Sequence, residues 1–60
     1  MELRERFLKI YADIPLNLRK EIILVLGKEP ITWNVAYIEI INKTAQSGPI
    51  LKKLEQFEIL

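Results

Sequence analysis

The sequence predicts a small α+β domain in the order helix, strand, strand, helix, with the two strands forming an antiparallel β-hairpin. Three observations support this prediction. Apolar residues recur at helical spacing near both ends of the chain, the middle is rich in β-branched and aromatic residues, and a Gly-Lys pair interrupts that middle. Such side chains lose rotamer freedom in helices and pack well on a pleated sheet. We expect a single domain over 1–60, because a chain of 60 residues has room for only one core.

The first predicted helix covers 2–12. Leu3, Phe7 and Ile10 have the i, i+4, i+7 spacing of one helical face, and most of the charged residues in this segment lie elsewhere. The Ile14-Pro15 step should end the helix, because the residue before a proline is disfavoured in the helical region.

The two predicted strands cover 21–26 and 31–41, and they turn at Gly27-Lys28. A glycine at the first central position suits a type II′ turn. Two arguments disfavour helices here. A helix capped by Asn17 would place Arg19 and Lys20 at the positive end of its dipole. A helix over 34–41 would be apolar on nearly every side, and a monomer of this size cannot bury such a helix.

A second interpretation makes both middle segments helices of an all-α helix-turn-helix unit. Segment 27–32 would then be the turn, and Thr32 would cap the helix that follows. The β-branched and aromatic composition favours the hairpin over this alternative.

The last predicted helix covers 48–58. Ser47 would supply its N-cap, and Pro49 would lie in the first turn, where its missing N–H costs little. Ile50, Leu54 and Phe57 then share one face, which we expect to pack on the core.

Composition excludes several classes of function. The chain has no His and no Cys, and therefore lacks the usual general base, thiol nucleophile and transition-metal ligands. We expect no enzyme, no cofactor and no metal site. The net charge of +1 indicates no strong attraction to nucleic acid from total charge. The longest uninterrupted apolar run, 22–26, is far shorter than the roughly 20 residues of a membrane span, so we expect a soluble, cytoplasmic protein with no membrane partner.

The apolar content predicts association. Hydrophobic residues make up 50% of the chain, and both faces of the second predicted strand are largely apolar. A hairpin of two strands cannot cover both of its faces alone. We therefore expect a homodimer built on the hairpin, acting as a small non-enzymatic interaction module of unknown target. The candidate interface residues are Trp33, Val35, Tyr37, Ile38 and Ile40.

The most polar segment, 42–48, leads into the N-terminus of the last predicted helix. Backbone N–H groups at such an end can hold a phosphate. Under the alternative interpretation, the candidate anion or DNA contacts are Lys43, Thr44, Gln46, Ser47, Lys52 and Lys53.

Segments 26–27, 30–32 and 50–55 have the sequences Leu-Gly, Pro-Ile-Thr and Ile-Leu-Lys-Lys-Leu-Glu. With the terminal Ile-Leu, they resemble the latter part of winged-helix or ArsR/MarR-like helix-turn-helix repressors. The resemblance implies that 44–54 carries a recognition helix, with Gln46, Ser47, Lys52 and Lys53 facing DNA. It makes a minimal helix-turn-helix DNA-binding protein the alternative function. Pro49 departs from that pattern, because it falls where the recognition helix should already be running.

Segments 15–19, 32–39 and 49–58 carry a second resemblance. A leading helix, Pro-Leu-Asn-Leu-Arg, a strand pair containing Thr-Trp-Asn-Val-Ala-Tyr-Ile-Glu, and a closing helix are together similar to short uncharacterised proteins of thermophilic archaea. This resemblance covers nearly the whole chain and implies no activity.

Overall fold

The structure, a computed structural model, describes residues 2–60. The elements follow in the order α1 (Leu3–Asp13), a 3-10 helix (Leu16–Leu18), β1 (Ile22–Leu26), β2 (Glu29–Thr32), α2 (Trp33–Ile41) and α3 (Ser47–Gln56). The predicted α+β class with an antiparallel hairpin is confirmed. The predicted extent of the second strand is wrong beyond Thr32, where α2 takes its place.

Helix α1 forms and ends as its sequence predicts. Phe7 is fully buried on its inner face. Ile14 is extended, with φ −78° and ψ 125°, as expected of a residue before proline. The Arg19 guanidinium donates hydrogen bonds to the carbonyls of Ile14 (3.0 Å) and Tyr11 (3.1 Å). Arg19 thus stabilises the C-terminal end of α1, where a cation is favourable, and does not lie at the start of a second helix.

The hairpin turns where the sequence predicts. Gly27 has φ 62°, and a positive φ at the first central position is what a type II′ turn requires. Leu24 and Ile31 are paired across the strands and both are buried. The register shifts between Ile22 and Leu24, and Ile22 and Val25 are exposed. One face of the hairpin therefore packs on the core and the other faces solvent.

Helix α2 begins at a side-chain cap. The Oγ1 atom of Thr32 accepts a hydrogen bond from the Val35 backbone N–H at 3.1 Å. Such a cap satisfies one of the unpaired N–H groups at a helix start and contributes about 1 kcal/mol. The extended chain of β2 thus turns into a helix without an intervening loop.

The inner face of α2 accounts for the error in the predicted strand. Ala36 and Ile40 are buried, and Trp33 and Tyr37 pack against the core beside them. These four residues have the i, i+3, i+4, i+7 spacing of a helix. Their burial on one side outweighs the low helix propensity of the segment, because packing routinely overrides propensity.

Helix α3 buries Ile50 and Leu54, as predicted. It begins at Ser47 with Gln46 as its N-cap, one residue before the predicted cap. The prediction that Phe57 shares the buried face is wrong, because the helix ends at Gln56 and Phe57 is 55% exposed.

Helices α2 and α3 are each followed, two positions after the last helical residue, by a residue with positive φ, Lys43 (52°) and Glu58 (60°). After α2, the Thr44 N–H donates to the carbonyl of Glu39 and the Lys43 N–H donates to that of Ile40. The corresponding pair of bonds follows α3. This is the Schellman pattern, in which the left-handed residue is usually glycine.

The core draws on all three α-helices and both strands. Its fully or nearly fully buried residues are Phe7, Leu24, Ile31, Ala36, Ile40, Ile50 and Leu54. Among the described residues, no helix combines the length and the apolar character that crossing a membrane requires.

Candidate interaction surface

The outer side of α2 carries three exposed apolar side chains. Val35 is 37% exposed, Ile38 54% and Ile41 38%. They are three residues apart, and therefore lie along one side of the helix, opposite the buried Ala36 and Ile40. We call this set the α2 outer face. None of its members is ionisable, and its central residue is the most exposed of the three.

The five predicted interface residues divide between the two sides of α2. Val35 and Ile38 lie on the outer face. Ile40 is 1% exposed and belongs to the core, while Trp33 and Tyr37 are partly buried against that core. A strand would alternate these residues between two faces, whereas a helix turns each by about 100° from the last, so the predicted interface does not form one surface.

Ile41, the third member of the outer face, is not among the predicted interface residues. Its signal was the spacing of Val35, Ile38 and Ile41 at i, i+3, i+6, which is helical and therefore carried no weight in a segment interpreted as a strand. Another exposed apolar residue lies near the start of the helix. Ile22, 59% exposed, pairs across the hairpin with Thr32, the N-cap of α2.

Four aromatic rings pack the inner side of α2 against α1. Phe7 lies 5.9 Å from Tyr11 and 5.8 Å from Trp33, measured between ring centroids. Tyr11 and Tyr37 are stacked, with centroids 4.4 Å apart and an angle of 11° between planes. Pairs of this kind contribute about 0.5 to 1.5 kcal/mol beyond the area they bury. The rings fix the rotation of α2, so its outer face is held toward solvent.

Polar residues contact Tyr11 at the edge of this aromatic cluster. The Tyr11 hydroxyl donates to Oδ1 of Asn34 at 2.8 Å, and the Arg19 guanidinium carbon lies 4.3 Å from the centre of the Tyr11 ring. The Asn34 backbone N–H donates to the carbonyl of Arg19 at 3.0 Å. These half-buried groups are therefore used in joining α1, the segment before β1 and the start of α2.

The turn between α2 and α3 is organised around Thr44. Its hydroxyl donates to the Glu39 carboxylate at 2.8 Å and accepts from the Gln46 backbone N–H at 3.3 Å. The Ser47 hydroxyl donates to the Thr44 carbonyl at 2.8 Å, and the Ser47 N–H bonds the same oxygen. The predicted anion contacts Thr44, Gln46 and Ser47 are thus engaged with one another and with a carboxylate.

The start of α3 has few groups to offer an anion. Within the described segment 46–49, the N–H groups of Gln46 and Ser47 are hydrogen-bonded and Pro49 has no N–H, which leaves the N–H of Gly48. The Glu39 carboxylate on the Thr44 hydroxyl adds negative charge to the same turn. A phosphate bound here would have one free N–H as a donor and a carboxylate nearby that repels it.

The predicted lysine contacts do not form one patch. Lys52 is exposed on the outer side of α3, while Lys53 is half-buried and one helical step away from it. The side chains that share the outer side of α3 with Lys52 are Glu55 and Gln56, so that side carries no net charge. Lys43 is exposed in the turn after α2.

Replacing Lys43 with glycine is expected to raise the free energy of unfolding by about 0.5 to 1 kcal/mol. Lys43 has φ 52°, a conformation that costs a residue with a Cβ atom but not glycine. Urea unfolding followed by circular dichroism measures the change. The matched control is Lys52→Gly in the middle of α3, which should lower stability by about 1 kcal/mol. A loss of stability on Lys43→Gly comparable to that of the control would contradict the assigned backbone conformation.

The described residues hold no enclosed pocket and no group of three or more side chains able to ligate a metal ion. Comparison of the chain with protein-family models, with curated protein sequences and with solved structures gave no match in any of the three, so the geometry of the α2 outer face is the basis for the function proposed below.

Proposed function

We propose that this chain is a small non-enzymatic interaction module that works as a homodimer, with the α2 outer face at the centre of its interface. The observation that carries the proposal is the exposure of Ile38, 54%, in the middle of an uncharged apolar row. Large contiguous apolar patches exposed on soluble proteins usually mark contact surfaces. The proposed location is the cytoplasm.

A dimer of ordinary size would bury a large share of the surface of so small a chain. A standard stable interface buries about 800 Å² of each partner, which is about a fifth of the 4188 Å² that the chain exposes. The α2 outer face is smaller than that. It therefore supplies the buried centre of the interface, and neighbouring surface, including Ile22 beside the helix start, supplies the rim.

Replacing Ile38 with lysine is expected to weaken the dimer by roughly thirtyfold or more in Kd. Each subunit would lose the burial of about half an isoleucine side chain, which amounts to about 2 kcal/mol per dimer. Sedimentation equilibrium across a range of concentrations measures the change. Circular dichroism should show the helical content of the unsubstituted chain, because Ile38 points away from the core.

The matched control is Val25→Lys, which makes a similar change at a residue 49% exposed on the hairpin. This variant should remain dimeric. If Val25→Lys dissociates the dimer while Ile38→Lys does not, the interface lies on the hairpin and the assignment to α2 is wrong.

A minimal helix-turn-helix DNA-binding protein is the competing function, because α2 and α3 follow each other across the short turn 42–46. The net charge of +1 and the neutral outer side of α3 favour at most weak, non-specific duplex binding. A salt-titrated gel shift tests this function. Sequence-selective binding tighter than micromolar, weakened by replacing Lys52 and Lys53 with alanine, would make DNA binding the better proposal.

A further inference from the structure

We infer that Tyr11 and Tyr37 form a modification site, at which a one-electron oxidant joins the two side chains of one molecule through a carbon–carbon bond. The rings are stacked, with centroids 4.4 Å apart and an angle of 11° between their planes. Tyr11 belongs to α1 and Tyr37 to α2, so the bond would link two helices that are distant in sequence. The site lies on the inner side of α2, away from the outer face, and does not depend on the homodimer.

Stacking brings the reactive positions of the two tyrosines close together. The unpaired electron of a tyrosyl radical is shared between the phenol oxygen and the ring, and much of it lies on the carbons beside the hydroxyl-bearing carbon. Rings this close and this nearly parallel are in van der Waals contact. Coupling therefore requires one ring to slide and tilt on the other, and it does not require the two helices to rearrange.

Other contacts hold Tyr11 against its partner. Its hydroxyl donates to Oδ1 of Asn34 at 2.8 Å, the Arg19 guanidinium carbon lies 4.3 Å from its ring centre, and the Phe7 ring stacks on it with centroids 5.9 Å apart. Both tyrosines are half-buried, so a part of each remains open to a small oxidant. A reaction partner already held in contact has a high effective concentration. At micromolar protein, coupling within one chain should therefore exceed coupling between chains.

The composition of the chain leaves few competing sites. There is no cysteine, whose thiolate is readily oxidised, and the two tyrosines of the chain are the two members of the stack. The single tryptophan, Trp33, lies 5.8 Å from Phe7, the ring that also contacts Tyr11. An electron removed from the indole can therefore be replaced from the tyrosine pair across one intervening ring.

The reaction takes two equivalents of a one-electron oxidant, such as the carbonate radical. Each phenol gives one electron to an oxidant and its hydroxyl proton to water. The two radicals then form a bond between the carbons beside their hydroxyl-bearing carbons, and the hydrogen on each bonded carbon moves as a proton to its own ring's oxygen. Both phenols are restored, and the chain has lost two hydrogen atoms in all.

Oxidation of the full chain by a photoexcited ruthenium complex with persulfate tests the site. At low micromolar protein, the expected product has the mass of one chain less two hydrogen atoms and shows the fluorescence of dityrosine. Proteolysis should release the segments that contain Tyr11 and Tyr37 as one joined peptide. Because the link constrains the unfolded chain, the melting temperature of the product should rise by roughly 10 °C or more.

Tyr37→Phe and Tyr11→Phe are the matched controls, since each keeps a ring in the stack and removes one phenol. Neither should give the linked monomer. The unsubstituted chain in concentrated urea should give it at about one tenth of the folded yield or less, because the rings are then no longer held together.

Links formed only between chains, or a linked monomer whose yield is the same in urea, would overturn the assignment. A linked monomer from either phenylalanine variant would also overturn it. So would the absence of a linked monomer from the unsubstituted chain when N-acetyltyrosine added to the same solution couples to itself.

Discussion

Replacing Phe7 with alanine is expected to lower the free energy of unfolding by about 3 to 5 kcal/mol, the usual cost of removing a buried phenylalanine ring. Phe7 is fully buried and contacts both Tyr11 and Trp33, so the variant loses two aromatic pairs as well as the ring's own burial. A chain of 60 residues has a total stability of about 3 to 9 kcal/mol. Much of the variant should therefore be unfolded at 25 °C.

Urea unfolding followed by circular dichroism measures this loss, and Phe57→Ala provides the same chemical change at an exposed position. Phe57 is 55% exposed after the end of α3, so its replacement should alter stability by about 0.5 kcal/mol or less. Equal losses from the two variants would mean that α1 does not pack through Phe7 on the start of α2.

Replacing Ile40 with lysine is expected to unfold the chain at every concentration. Ile40 is 1% exposed, and no acidic side chain is buried in the described core to pair with a lysine there. Burying an unpaired charge costs more than the roughly 3 to 9 kcal/mol that holds so small a domain together. Circular dichroism at two protein concentrations should show the loss of helix at both.

The contrast with Ile38→Lys separates core from interface on a single helix. The two residues are two positions apart on α2, yet the Ile40 variant should unfold and the Ile38 variant should fold and dimerise more weakly. A folded Ile40→Lys variant whose melting temperature rises with concentration would assign Ile40 to the interface, as the strand interpretation of this segment predicts.

Local signals sufficed to predict most of the fold. The spacing of Leu3, Phe7 and Ile10 indicated α1, and the proline after Ile14 indicated its end. Gly27 marked the hairpin turn because a positive φ is needed there. Each of these signals depends on a few neighbouring residues, and the packing of the domain reinforces each one.

The favoured hairpin interpretation did not predict helix α2, although the helix-turn-helix alternative did place a helix after a Thr32 cap, because the local signals conflict. The β-branched and aromatic residues of 33–41 favour a strand, while the Thr32 cap and the spacing of the inner residues favour a helix. A helix here does leave Val35, Ile38 and Ile41 exposed. Such exposed apolar side chains disfavour a helix in a monomer, but an association surface requires them.

The sequence predicted two of the three members of the α2 outer face, for the same reason. An apolar surface in this segment follows from composition alone, and Val35 and Ile38 were among its predicted members. In a strand the side chains alternate between two faces, whereas in a helix each is turned by about 100° from the last. The strand interpretation therefore omitted Ile41 from the surface and included Ile40, which is buried in the core.

The melting temperature of the unsubstituted chain as a function of its concentration tests the central claim most directly. If folding and dimerisation are linked, the melting temperature should rise with protein concentration, and Ile38→Lys should shift that dependence to roughly thirtyfold higher concentration while the variant still melts cooperatively. A melting temperature that does not change on dilution, in a chain that sediments as a monomer at tens of micromolar, would contradict association through the α2 outer face.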